Sequence, residues 1–313
     1  MTDDHALEPF FDSCRVARIE ETRATTRRPE GRPARRARAL GVLPSGMTLA
    51  CVPAASGAAP LGAAANVPAL PILVYHQIRL GADGPPDSLE TISLDRFSAQ
   101  MRHLSEEGYV TLSADEVVEF VRGVGSRADR IVAIQFDDGW KSAQLALPVL
   151  DRYGFKATFW IIAGTGIGPP HMDWDEIRAI GRNRRYDIHS HSMTHPYKPG
   201  DTMTDWAEAR TSGKGAEQIR WELSRSRDVL MEKLGRPVPY LAWPGGHYND
   251  AMIRLATEAG YSALFTANPG LNRPGDNVLR LRRTMVHGGC DDQVFAEILR
   301  DAVYRDCPPP PAE

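Results

Sequence analysis

Between residues 69 and 304 the chain repeats one order: a short apolar run rich in β-branched and aromatic residues, then a segment with apolar residues at helical spacing. Strand candidates are 69–76, 130–136, 156–162, 186–191, 240–243, 262–266 and 278–286. Helix candidates are 93–104, 113–122, 142–153, 174–180, 216–234, 249–259 and 293–304. The connections are too long for hairpins, so neighbouring strands must pair in parallel, in a barrel or a doubly wound sheet. Local signals agree with this division: Ser113 with Glu116 has capping-box spacing, Ser93 suits an N-cap, and Gly154 and Gly235 stand where a helix stops in left-handed backbone.

Composition excludes little inside that region and much outside it. With 313 residues, 42% hydrophobic and 25% charged, the chain can bury a large core, and a formal charge of -3 favours no nucleic-acid partner. Residues 15–38 carry nine arginines without apolar periodicity and should be disordered, and residues 39–70 turn to Ala, Gly, Pro, Leu and Val. A basic stretch, a short apolar run and a small-residue tail is the order of an export signal, with Arg35–Arg38 as its charged part and cleavage near Ala63–Ala65. The expected division is 1–66 as an Arg-rich, signal-like segment, 67–304 as one folded domain and 305–313 as a disordered tail. No apolar run reaches the ~20 residues of a membrane-spanning helix. Of the four cysteines, Cys290 and Cys307 remain after such processing as a candidate disulfide for an oxidising compartment.

Two strand ends carry the chemistry. The run Ile131–Phe136 leads into Asp137, Asp138 and Gly139, and a later strand leads into His189, His191 and His195. Asp138, His191 and His195 form a set of two imidazoles and one carboxylate, which suits zinc and other first-row divalent ions. In a parallel sheet both features would lie at the same edge.

These residues also carry a family resemblance. FDDGWKSAQLALPVLDRYGFKATFWI resembles the first motif of the polysaccharide deacetylases (NodB-homology, carbohydrate esterase family 4), and HSMTHP resembles the second. AWPGGHYND and the opening LPILVYHQI are similar to the exported poly-N-acetylglucosamine deacetylase branch. The resemblance implies a single-domain distorted (β/α) barrel of about seven parallel strands. It also implies an exported, monomeric hydrolase that removes N-acetyl or O-acetyl groups from an envelope or extracellular polysaccharide.

Position by position, the resemblance makes Asp137 the base and Asp138, His191 and His195 the ligands of one divalent ion, Zn2+ first. The family's third motif usually offers Arg-Pro-Pro-Tyr-Gly, and here Ala242–Gly246 has no arginine. Another group must therefore orient the base, with the Gly245 N–H as oxyanion donor. His287 is the candidate acid for the leaving amine. His76 matches the branch pattern and lines the site or fills the core. Trp174 and Trp243 form a wall for a sugar ring or serve as core, and Arg280, Arg282, Arg283 and Arg300 are expected on a solvated face. An inactive carbohydrate-binding homologue and a metal amidase acting on a small cyclic amide are the competing readings.

Overall fold

The computed structural model describes residues 69–81, 88, 90–125, 128–164, 168–305 and 307. The export-signal region and the segment 1–66 lie outside the described residues.

Chain order is β1 (Ile72–Tyr75), β2 (Gln77–Arg79), β3 (Thr91–Ser93), α1 (Leu94–Glu106), β4 (Val110–Thr111), α2 (Ala114–Val121) and β5 (Ile131–Phe136). A 3-10 turn over Lys141–Ala146 leads into α3 (Leu147–Tyr153), followed by β6 (Ala157–Ile161), α4 (Trp174–Gly181), β7 (Tyr186–Ser190), α5 (Met203–Ala207) and α6 (Ala216–Leu234). Then come β8 (Tyr240–Ala242), α7 (Asp250–Glu258), β9 (Ala263–Phe265), β10 (Thr284–Met285) and α8 (Asp292–Asp301). The helix ends match their local chemistry. Ser113 and Glu116 close a reciprocal capping box on α2, and Gly154 and Gly235 cap α3 and α6 at φ 66° and 65°.

Seven strands pair in the order β10-β1-β5-β6-β7-β8-β9, all parallel, and β4 joins the first two residues of β5. The sheet curls into a half-barrel with helices packed outside. Its two edges converge on one short segment: Leu281 bridges Phe265 of β9, while Thr284 and Met285 pair with Leu73 and Val74 of β1. Because that segment divides its bonds between two partners, the strand expected over 278–286 is reduced to two residues. A 3-10 turn, Val278–Arg280, precedes it.

Strand alternation sorts the core into layers. Val132, Ile134 and Phe136 face outward into a cluster with Phe97, Leu150, Phe159 and Ile188, under the helices. Ile131 and Ala133 face inward with Trp160, Tyr240 and Phe265, and Val117, Val118 and Val121 of α2 join this inner cluster. Every residue of β5 is buried, as expected of a parallel strand covered on both faces. Two small pairings escaped the sequence reading: β2 with β3, and β4 with β5. Among the described residues no helix is long and apolar enough to cross a membrane. Cys290 and Cys307 are joined as a disulfide, across a sequence separation of 17 that includes α8.

Candidate active site

Asp137 keeps the inward parity of Ile131 and Ala133, and its N–H donates to the Tyr75 carbonyl (2.9 Å). The chain then turns sharply, with Asp138 at φ 69° and Gly139 at φ 73°. Aspartate tolerates left-handed backbone better than most side chains, and glycine tolerates it without penalty. A Cβ at Gly139 would also come within 3.0 Å of Ile161 Cδ1, so no other residue fits that place unstrained. This turn sends two adjacent carboxylates in different directions.

Asp137 is gripped by Arg283. Nη1 donates to Oδ1 (2.7 Å) and Nη2 to Oδ2 (2.9 Å), a bidentate pair with both side chains buried. The guanidinium is itself fixed, since Nε donates to the Thr266 carbonyl (2.7 Å) and Nη1 also reaches Gln135 Oε1 (3.3 Å). It lies 5.8 Å from the Trp160 ring. Burial pushes the Asp137 carboxyl up, and Arg283, with His191 and His76, more than offsets this and holds it below the usual carboxylate range. The expectation of a solvated face for Arg283 is therefore corrected. The residue has the inward parity of buried Leu281, while Arg282 between them is exposed. That alternation was the available signal. An arginine of the segment that closes the half-barrel thus pairs with Asp137, whereas Ala242–Gly246 holds none.

Asp138 turns toward the histidines. Its Oδ2 accepts from Trp140 Nε1 (3.0 Å), and Oδ1, fully buried, accepts no hydrogen bond but faces His191 Nε2 and His195 Nε2 at 3.3 Å each. The two Nε2 atoms are 3.1 Å apart. His191 Nδ1 lies 2.9 Å from the Ala242 carbonyl, which can only accept, so this nitrogen is the donor and Nε2 is turned to the cluster. Donor atoms of Asp138, His191 and His195 all lie within 4.8 Å of one another.

The electrostatics divide the pair. Burial pushes both imidazoles down. For His191 the carboxylates of Asp137 and Asp138 outweigh burial and raise it, whereas His195, facing His191, falls to about 4. Burial likewise pushes Asp138 up, but His191, His76 and His195 together hold it far below the carboxylate range. A buried carboxylate oxygen without a hydrogen-bond donor, opposed by two imidazole nitrogens, fits a divalent first-row ion by both donor set and convergence.

Around this centre the other expected residues fall unevenly. His76 directly follows β1 and lies buried near both aspartates. His287 follows β10, buried, one residue past Val286, whose N–H donates to Val74, with its ring edge against Tyr304 (4.8 Å). Gly245 is exposed at φ 56°; a Cβ there would lie 3.0 Å from His247 and 3.5 Å from Tyr197, whose ring packs on His195 (5.0 Å). Trp243 is 0% exposed, in a core cluster with Leu223, Met252 and Leu264, and so offers no face to a ligand. Trp174 is half-buried at the start of α4 against the outer cluster. His189 packs on Tyr240 and Trp160 rather than with the other histidines. Trp140 went unnoticed in the sequence although it directly follows Gly139. It is half-buried, stacked on His171 at 4.5 Å.

Comparison with known proteins bears on this arrangement. Residues 125–264 match the family model described as polysaccharide deacetylase. The chain is 28% identical to YxkH of Bacillus subtilis (strain 168) over 227 residues, 72% of this chain and 74% of that protein. It is 24% identical over 203 residues to the poly-beta-1,6-N-acetyl-D-glucosamine N-deacetylase of Escherichia coli (strain K12), 55% of this chain but only 30% of that one. Among solved structures, the Streptococcus pyogenes deacetylase PplD in complex with acetate has a TM-score of 0.62 at 22% identity, over 76% of this chain and 99% of that one, a likeness of fold. Residues 125–264 thus carry a polysaccharide deacetylase domain of the NodB-homology, carbohydrate esterase family 4 type.

Proposed function

We propose that the protein hydrolyses acetyl groups, N-acetyl in first place, from an amino-sugar polysaccharide of the cell envelope or its surroundings. Asp137 acts as the proton acceptor, and Asp138, His191 and His195 hold one divalent ion, Zn2+ in first place. The observation that carries this reading is the separation of two neighbouring carboxylates into different partners. Asp137 is locked onto Arg283, and Asp138 is aimed at two imidazoles.

Asp138, His191 and His195 would hold the ion, which when bound would supply Lewis acidity toward an acyl carbonyl and a water. Asp137, ionised near neutral pH and held by two hydrogen bonds, takes a proton from the attacking water. Arg283 fixes the carboxylate in place and keeps it a base, the task left vacant by the missing third-motif arginine. The Gly245 N–H, on an exposed turn, serves as a donor to the oxyanion. His287, at the end of the closing strand, returns a proton to the leaving amine, and the products are acetate and a free amino sugar. His76 lines the site beside both aspartates. The disulfide supports an oxidising compartment and with it export.

The test is acetate release from N-acetylglucosamine oligomers, with and without a chelator, alongside the metal content of each variant. Asp137→Asn should lose about 10²-fold or more in rate while keeping its metal. Asp138→Ala should lose the metal itself. Release that survives both chelation and Asp138→Ala would sink the assignment. Polymer binding with no release from any acetylated sugar would mark a binding homologue instead, and turnover only of small cyclic amides would mark a different amidase.

A further inference from the structure

His191 and His195 are joined by a turn that ordinary residues do not favour: Ser192 sits at φ 65° and His195 at φ 54°. Each non-glycine residue in that region costs on the order of 1 kcal/mol or more, so the surroundings must hold the turn in place. They do so from two sides. On one side the loop after β6 donates, Ala163 N–H to the Ser192 carbonyl (3.0 Å) and Gly164 N–H to the Met193 carbonyl (2.9 Å). Gly164 allows this approach because any Cβ there would lie 2.6 Å from the Met193 oxygen. On the other side stands Glu222 of α6, 0% exposed. Its Oε2 accepts from the backbone N–H groups of Met193 and Thr194, both at 2.9 Å, and its Oε1 accepts from the Thr194 hydroxyl. One turn further along α6, Ser226 Oγ meets Ser190 Oγ (3.1 Å), which anchors the helix to the end of β7.

We propose that Glu222 is a positioning residue for the candidate metal centre, setting the separation and direction of His191 and His195 from behind. The inference rests on the reading of Asp138, His191 and His195 as an ion site. Glu222 is the only buried carboxylate that α6 contributes among the described residues. The two central peptides of the turn, Ser192–Met193 and Met193–Thr194, have their N–H groups bonded to Glu222 and their carbonyls to the β6 loop, so a shift of the Glu222 carboxylate moves the turn. Partners that orient metal ligands without touching the ion commonly change affinity by about 10–100-fold.

Two substitutions separate geometry from charge. Glu222→Gln keeps the length: one amide oxygen can accept both N–H groups, and the amide NH2 can donate to the Thr194 hydroxyl. Glu222→Asp keeps the charge but is one methylene short of reaching both N–H groups. Zinc affinity of the full chain is measured by competition with a chromophoric chelator. The visible spectrum of the cobalt-loaded protein reports ligand geometry, and urea denaturation of the ion-free protein controls for folding. Positioning predicts that Glu222→Asp loses about 10–100-fold in zinc affinity with a changed cobalt spectrum, while Glu222→Gln stays about tenfold or more closer to wild type. Equal affinities in all three proteins, or a larger loss in Glu222→Gln than in Glu222→Asp, overturn the proposal. If Glu222→Asp does not fold, Thr194→Val carries the test, since it removes the hydroxyl arm alone: a fall in zinc affinity supports the proposal and an unchanged value overturns it. A wild-type protein that binds no zinc overturns the metal reading and this proposal together. A wild type that binds zinc beside variants that bind equally well overturns only this one.

Discussion

At the residue scale the central fact is a buried ion pair that no neighbour in sequence announces. Asp137 and Arg283 are separated by 146 positions and joined by two hydrogen bonds in the interior. Removing one member of such a pair leaves an uncompensated charge, so Arg283→Met should destabilise the fold by about 3 kcal/mol or more at neutral pH, read by urea denaturation. The same change has a signed effect on catalysis. The guanidinium lowers the Asp137 pKa, so without it the carboxylate protonates at higher pH, and the acid limb of the pH–rate profile for acetate release should move upward. Arg283→Lys, which keeps the charge without the bidentate fork, should fall between wild type and Arg283→Met. An unmoved acid limb in Arg283→Met would separate Asp137 from the proton transfer.

At the scale of elements, the strands carry the candidate site at their C-terminal ends and a buried carboxyl near the opposite end of β7. Asp187, the second residue of β7, accepts the Ala114 N–H at the start of α2 (2.8 Å). Burial, with Asp115 and Glu116 nearby, pushes its carboxyl up to about 6 from 3.8, against the pull of that N–H and of Arg236. A carboxyl with a raised folded pKa binds its proton more tightly folded than unfolded. It therefore favours folding below its unfolded pKa, and this contribution disappears as pH rises through about 6. Asp187→Asn retains an acceptor for Ala114 and removes the titration. It should gain about 1–3 kcal/mol at pH 7, measured by denaturant titration across pH 4–7, with little difference from wild type at pH 4. A variant less stable than wild type at pH 7 would show that the ionised carboxylate is needed there.

For the whole molecule, closure of the half-barrel and the C-terminal end are linked. The segment Leu281–Met285 joins both sheet edges, and the disulfide Cys290–Cys307 then ties down the chain on either side of α8. A crosslink over 17 residues removes enough unfolded-chain entropy to contribute about 3 kcal/mol. Cys307→Ser should lower the melting temperature, and reductant should lower that of wild type to match. A melting temperature indifferent to both would show that the crosslink adds nothing to stability.

Two kinds of information meet in this protein. The sequence alone determined what depends on short range and on periodicity. Repeated strand–helix alternation required parallel pairing; Ser113 with Glu116, Gly154 and Gly235 set helix ends; and Asp137, Asp138, His191 and His195 stood at strand ends that a parallel sheet must gather at one edge. Only the tertiary structure decided which groups complete the site. Arg283 shares the inward parity of Leu281, but only closure of the half-barrel brings Asp137 to it as a partner. Glu222 reads as a polar residue of an amphipathic helix until α6 docks behind the histidine turn. Trp243 reads equally as a sugar platform or as core until packing with Leu223, Met252 and Leu264 decides for core. The physical reason is common to all three. Hydrogen bonds and burial between distant segments depend on how elements pack against one another, and no local pattern encodes that packing.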